Sequence, residues 1–181
     1  MALLSYDRER AVSYARRWAL GRNPLFYDFM GIGGDCTNFI SQCLYAGSCA
    51  MDFAGDLGWY YISPDDRAPA WSGVKYLFNY LTRSSATPGP VGEQTSVDFL
   101  RPGDLVQLGR ADGSFYHTLI ITGYSRGTYL VCAHSYDALD RPLRSYSFER
   151  LRGISITGVR RAEPCRSCFR SLYDGRELVI C

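Results

Sequence analysis

One change of period organises this chain. Up to about residue 81 the apolar residues recur at spacings of three and four, and beyond about residue 104 they alternate with polar ones. The first spacing lines one face of a helix, the second one face of a strand. Helices followed by strands make an α+β domain, its N-terminal helices packed on one face of an antiparallel β-sheet. The spacing predicts a first helix over residues 6–20, with Ser5 as N-cap, Gly21 after its end, and Ala11, Tyr14, Ala15 and Trp18 as its apolar stripe. A second helix starts at Asp35 or Cys36, ends at Gly47, and puts Phe39, Ile40, Cys43 and Leu44 on one face. A third covers residues 71–81 behind Pro69. Residues 82–96, rich in Thr, Pro and Gly, read as a loop, and strands are predicted near 104–108, 115–122, 128–134, 143–148 and 153–161.

The 181 residues are enough for one domain with a short appendage, divided here as 1–163 and a C-terminal extension, 164–181. With 46% hydrophobic and 21% charged residues, the balance is that of a globular domain rather than a disordered chain. A net charge of +2, with scattered arginines, argues against nucleic acid as a partner. No apolar run approaches the roughly 20 residues that cross a bilayer, so no membrane partner is expected. The N-terminus lacks the pattern of a signal peptide, and seven cysteines is an odd number at irregular spacing. Reduced thiols in a cytoplasm are the simpler expectation, unless the chain is excised from a longer exported protein.

The chemistry concentrates at Cys36, where the glycines of Gly33-Gly34-Asp35-Cys36 end and helical periodicity begins. Asp35 is a good N-cap residue, and first-turn N–H groups with the positive end of a helix dipole favour a thiolate, which is the nucleophilic form. The same N–H groups can bind a developing oxyanion. Free cysteine is commonly just a small buried apolar residue, and Cys43, Cys49 and Cys132 keep that reading.

A cysteine nucleophile needs a base, and the chain has two histidines, His117 opening one predicted strand and His134 closing the next. If Ser125 and Arg126 form a two-residue hairpin loop, His117 stands opposite His134, Leu119 opposite Cys132 and Ile121 opposite Leu130. His134 then orients the His117 ring as the third member of a Cys-His-His site, with Asp137 as the alternative for that role.

These residues carry a resemblance. Tyr14-Ala15, Arg22-Asn23-Pro24, Gly33-Gly34-Asp35-Cys36-Thr37-Asn38-Phe39 with Ser41-Gln42-Cys43, then Trp71, Pro102-Gly103-Asp104-Leu105-Val106 and His117 resemble the putative amidase domain family. That family is a branch of the papain-like superfamily that also holds the NlpC-type cell-wall peptidases and the CHAP amidases. The resemblance implies a papain-like (NlpC/CHAP-type) fold and a cysteine hydrolase acting as amidase or peptidase. Residue by residue it gives Cys36 as nucleophile, His117 as base and His134 as the polar third member. NlpC-type sites also carry a tyrosine upstream of the cysteine that helps at the oxyanion, and Tyr27 is the residue that matches it here, beside Asp35. The implied partner is a peptide or peptidoglycan-type amide substrate, and no metal or organic cofactor is required.

Two other readings use the same residues. An amine in place of water makes the enzyme a thioester acyltransferase, and loss of turnover leaves a silent binding module. In the tail, Cys165 and Cys168 have zinc-type spacing and Cys181 lies further on, but one such pair without a second is incomplete for a structural zinc site. Asp174-Gly175 reads as the turn of a terminal hairpin.

Overall fold

The computed structural model describes residues 1–161, 165 and 167–180. In chain order the elements are β1 (Leu3–Leu4), α1 (Arg8–Trp18), α2 (Cys36–Ser48), β2 (Tyr61–Ser63), β3 (Asp66–Arg67), α3 (Pro69–Ser72) and α4 (Val74–Leu81). They continue with β4 (Gly89–Thr95), β5 (Leu105–Gly109), β6 (Phe115–Ser125), β7 (Thr128–Ala133), β8 (Ala138–Pro142), β9 (Arg150–Arg160) and α5 (Cys168–Tyr173). Seven strands form one sheet in the order β1-β9-β5-β6-β7-β8, with β4 also paired to β9, and the pairs are antiparallel. The architecture is α+β, as the change of period requires.

Every residue of α2 is buried, which is why it is apolar or neutral all round. Phe39, Ile40, Cys43 and Leu44 meet Leu105, Ile120, Cys132 and Ile154 from one face of the sheet, and α1 covers them with Tyr14 and Ala15. On the other face Val106, Leu108, Leu119, Ile121, Val131 and Ala133 form a second, smaller core closed by Leu100 and Leu143. Among the described residues no helix is long and apolar enough to cross a membrane.

Several expectations are corrected. Helix α1 begins two residues later than predicted, because Asp7 rather than Ser5 caps it, accepting from the Arg10 N–H at 3.0 Å. The third helix is two helices broken at Gly73, whose extended backbone leaves no room for a Cβ beside the Tyr76 ring and the Pro69 carbonyl. Within the expected loop at 82–96 lies β4, whose Gly and Pro hide any alternation; its pairing with β9 makes it a strand. Residues 143–145 are a 3₁₀ turn, and β8 precedes them. Asp174-Gly175 ends α5 instead of turning a hairpin.

The expectation of reduced thiols is corrected too, since Cys49 and Cys168 form a disulfide that ties α5 to the end of α2. Cys165 is likewise disulfide-bonded. Neither tail cysteine is therefore a free thiolate for zinc, whereas Cys36, Cys43 and Cys132 are free and buried. The boundary expected after residue 163, and Cys181, lie outside the described residues.

Candidate active site

The hairpin from β6 to β7 decides where the two histidines go. Its loop is Arg126-Gly127, with φ of 49° and 77°, between Ser125 and Thr128. Two positive φ values in a two-residue loop give the turn whose twist suits a hairpin, and Gly127 supplies one without strain. A bulge between Ile121 and Gly123 then shifts the pairing, so that Ile120 faces Cys132. The predicted register is therefore wrong by one residue at the histidine end, and a one-residue slip sends side chains to opposite faces.

His134 accordingly turns toward the helices, stacked on Phe39 with ring centroids 3.9 Å apart. Its Nδ1 lies 2.6 Å from Asp35 Oδ2 and its Nε2 2.9 Å from the Trp18 carbonyl. Both nitrogens are thus committed, and neither is left for His117. Asp137, the alternative partner, is held by both terminal nitrogens of Arg22 at 2.9 and 3.0 Å.

His117 lies with Leu119 and Ile121 on the opposite side of β6. It lines a cavity of about 490 Å³ together with Cys36, Gly34, Tyr116, Arg141 and Tyr146. Its Nε2 is fully buried and has no hydrogen-bond partner among the described residues. Burial, with Arg141 nearby, pushes the imidazole down to about 4.

Cys36 reaches this cavity because β7 ends at Ala133, leaving the start of β6 open on that side. The backbone N–H groups of Thr118 and of Thr37, at the head of α2, favour the ionised form of the sulfur. Thr37 Oγ1 stands 3.7 Å from the sulfur and 3.4 Å from Thr118 Oγ1. Gln107 Nε2 donates to Thr118 Oγ1 at 3.2 Å, and Gln107 is oriented by Arg152, which donates to its Oε1, and by the Val74 carbonyl, which accepts at 3.1 Å. Thr118 accepts from Gln107 and can still donate to Thr37, which can in turn donate to the sulfur; in each of these two contacts either atom can be the donor. Burial still outweighs these donors and raises the Cys36 thiol above its ordinary value, a correction to the expectation of a resting thiolate.

Asp35 occupies the N-cap position but does not cap α2 with its side chain. Its carboxylate accepts from the Phe29 N–H at 3.1 Å, Asn38 Nδ2 at 2.8 Å and His134. Gly34 precedes it at φ 105°, and a Cβ there would sit 3.2 Å from Ser135 Oγ, which accepts from the Asp35 N–H at 2.7 Å. Tyr27 is not at the cavity: its ring packs edge-on against Phe29, and its carbonyl accepts from Asn38 Nδ2 at 3.0 Å. The rest of the motif holds the scaffold, with Trp71 Nε1 donating to Asn38 Oδ1 at 2.9 Å and Tyr14 donating to Gln42 Oε1 at 2.8 Å. Thr37, Gln107, Thr118 and Arg141 were not singled out by sequence; a hydroxyl directly after the candidate nucleophile was the one local signal.

The model of the Putative amidase domain family matches residues 5–157, so this chain belongs to that family. A hydrolase is the kind of protein that membership suggests. The uncharacterized protein YhbB of Bacillus subtilis (strain 168) is 34% identical over 147 residues, 80% of this chain and 45% of that relative. The chain thus spans less than half the length of that relative. No solved structure matches.

Proposed function

We propose that the protein is a cysteine amidase or peptidase of papain-like fold, with Cys36 as nucleophile and His117 as general base. The observation that carries this reading is a buried, unpartnered imidazole nitrogen in the same cavity as a cysteine at the head of a helix. An unpaired buried nitrogen costs free energy, and such costs concentrate where a reacting group is to be met.

With the thiol raised and the imidazole lowered, both groups rest neutral. His117 therefore takes the Cys36 proton as the sulfur attacks the amide carbonyl, while the donors at the sulfur stabilise negative charge as it develops. The Cys36 backbone N–H at the helix head holds the oxyanion, and the imidazolium returns its proton to the leaving amine. Water, deprotonated by the same ring, then releases the acyl group. His134 and Asp35 hold α2 against β7 rather than touching substrate, and Tyr27 takes no part. Peptide amides, those of peptidoglycan among them, are the candidate substrates. The Cys49–Cys168 disulfide supports an oxidising compartment as the place of action.

The test is to incubate the protein with a peptide or muropeptide mixture, trap the acyl-enzyme and weigh it by mass spectrometry. An adduct on Cys36, absent in Cys36→Ala, is expected; turnover that survives Cys36→Ala rules the reading out.

A further inference from the structure

The cavity shared by Cys36 and His117 has one permanently charged lining residue among the described ones, Arg141, and no carboxylate lines it. Arg22 and Arg16, by contrast, are compensated. Arg22 meets Asp28 at 3.2 Å and Asp137 at 2.9 Å, and Arg16 meets Asp140 at 3.1 Å. Asp140 is next to Arg141 in β8, but alternation along the strand turns it away, toward Arg16 and Thr122.

Arg141 is also held in place. Its Nε donates to Ser145 Oγ at 2.8 Å and its Nη2 to the Ser145 carbonyl at 3.2 Å, while Ser145 Oγ donates to the Pro142 carbonyl at 2.7 Å. The guanidinium carbon lies 4.1 Å from the centroid of the Tyr146 ring. Two of its five N–H groups are spent on Ser145, the Tyr146 hydroxyl is within its reach, and among the described residues no carboxylate pairs with it. A guanidinium fixed by a serine and an aromatic face has little rotamer entropy left to lose, and its free edge matches the two oxygens of a carboxylate.

We propose that Arg141 selects the substrate: it receives a carboxylate carried close to the scissile amide, and the enzyme acts on acidic peptides in preference to neutral or basic ones. This rests on Cys36 being the nucleophile. The arrangement has a consequence for catalysis. Arg141 is one of the two causes that hold His117 down. A carboxylate laid on the guanidinium cancels that repulsion, so a correct substrate strengthens the base that is to act on it.

Alkylation of Cys36 tests the idea without knowledge of the substrate. Iodoacetate and iodoacetamide differ in charge and little in shape, and peptide mass spectrometry reads which thiol is modified. In Arg141→Met the rate with iodoacetate should fall about tenfold relative to that with iodoacetamide, while Arg141→Lys keeps most of the preference. An unchanged ratio in Arg141→Met overturns the proposal. If that variant does not fold, the intact protein serves: its iodoacetate preference should shrink as salt rises to about 0.5 M, and a ratio indifferent to salt overturns the proposal equally. Failure of both reagents to modify Cys36 even at alkaline pH, where the thiolate forms, is a different result, and it removes Cys36 as the nucleophile. Protection of Cys36 by N-acetylglutamic acid α-amide places the recognised carboxylate on a side chain, and protection by N-acetylalanine places it at a chain end.

Discussion

Asp35 and His134 face each other across 2.6 Å in the interior, each side chain 1% exposed, one residue before the candidate nucleophile. The contact pins the head of α2 to the end of β7 and so sets where Cys36 emerges. Removing one partner from a buried polar pair strands the other, at a cost of about 3–5 kcal/mol. Asp35→Leu and His134→Leu should each lower stability by that amount in urea melts. If His134 is structural, the alkylation rate of Cys36 per folded molecule should change far less in His134→Gln than in His117→Gln.

The His117 ring should titrate far below an ordinary histidine. With two histidines in the chain, NMR can follow each, and a midpoint near 4 is expected for His117. In Arg141→Met that midpoint should rise but stay below about 6.5, because burial is the larger cause. The acid limb of kcat/KM should follow it in both proteins.

The same depression has a sign in stability. Between about pH 6.5 and 4 the unfolded chain takes up a proton that folded His117 refuses, so stability is full above the unfolded value and falls as pH drops through this window. The loss is of order 3 kcal/mol at most. Urea melts of His117→Gln should show a correspondingly shallower fall between about pH 7 and pH 4.

The hydroxyl chain behind the sulfur predicts a graded effect. Thr37→Val removes the hydroxyl next to the sulfur, and Cys36 should then alkylate about fivefold more slowly near neutral pH, one hydrogen bond being the difference. Thr37→Ser should retain the rate. Gln107→Leu should act in the same direction as Thr37→Val, though less strongly, since it loosens the chain at a distance.

The Cys49–Cys168 bridge closes a loop across 119 positions. Loop-closure entropy sets its contribution at about 4–5 kcal/mol as a ceiling. Cys49→Ala/Cys168→Ala should therefore melt at lower urea, with α5 released first, since without the bridge it is left with its packing through Leu172 and Phe169 and with bonds such as Trp18 Nε1 to the Tyr173 carbonyl at 3.1 Å and Asn23 Nδ2 to the Leu172 carbonyl at 2.9 Å.

Local pattern alone determined that helices precede most of the strands, that α2 starts at Asp35 or Cys36, and that β5, β6, β7 and β9 exist, because apolar period is a property of neighbouring residues. The same local information singled out Cys36 and His117. Tertiary structure decided the rest. Strand β4 has no alternation to read and exists through its pairing with β9. The face of His134 turned on a bulge and a one-residue choice of loop, a difference too small for composition to express yet large enough to move an imidazole from one side of the sheet to the other. Whether Cys36 rests as a thiolate was equally a matter of assembly: the helix head argued for ionisation, but burial is a sum over every element packed around the sulfur, and it outweighs the donors that any one segment can supply.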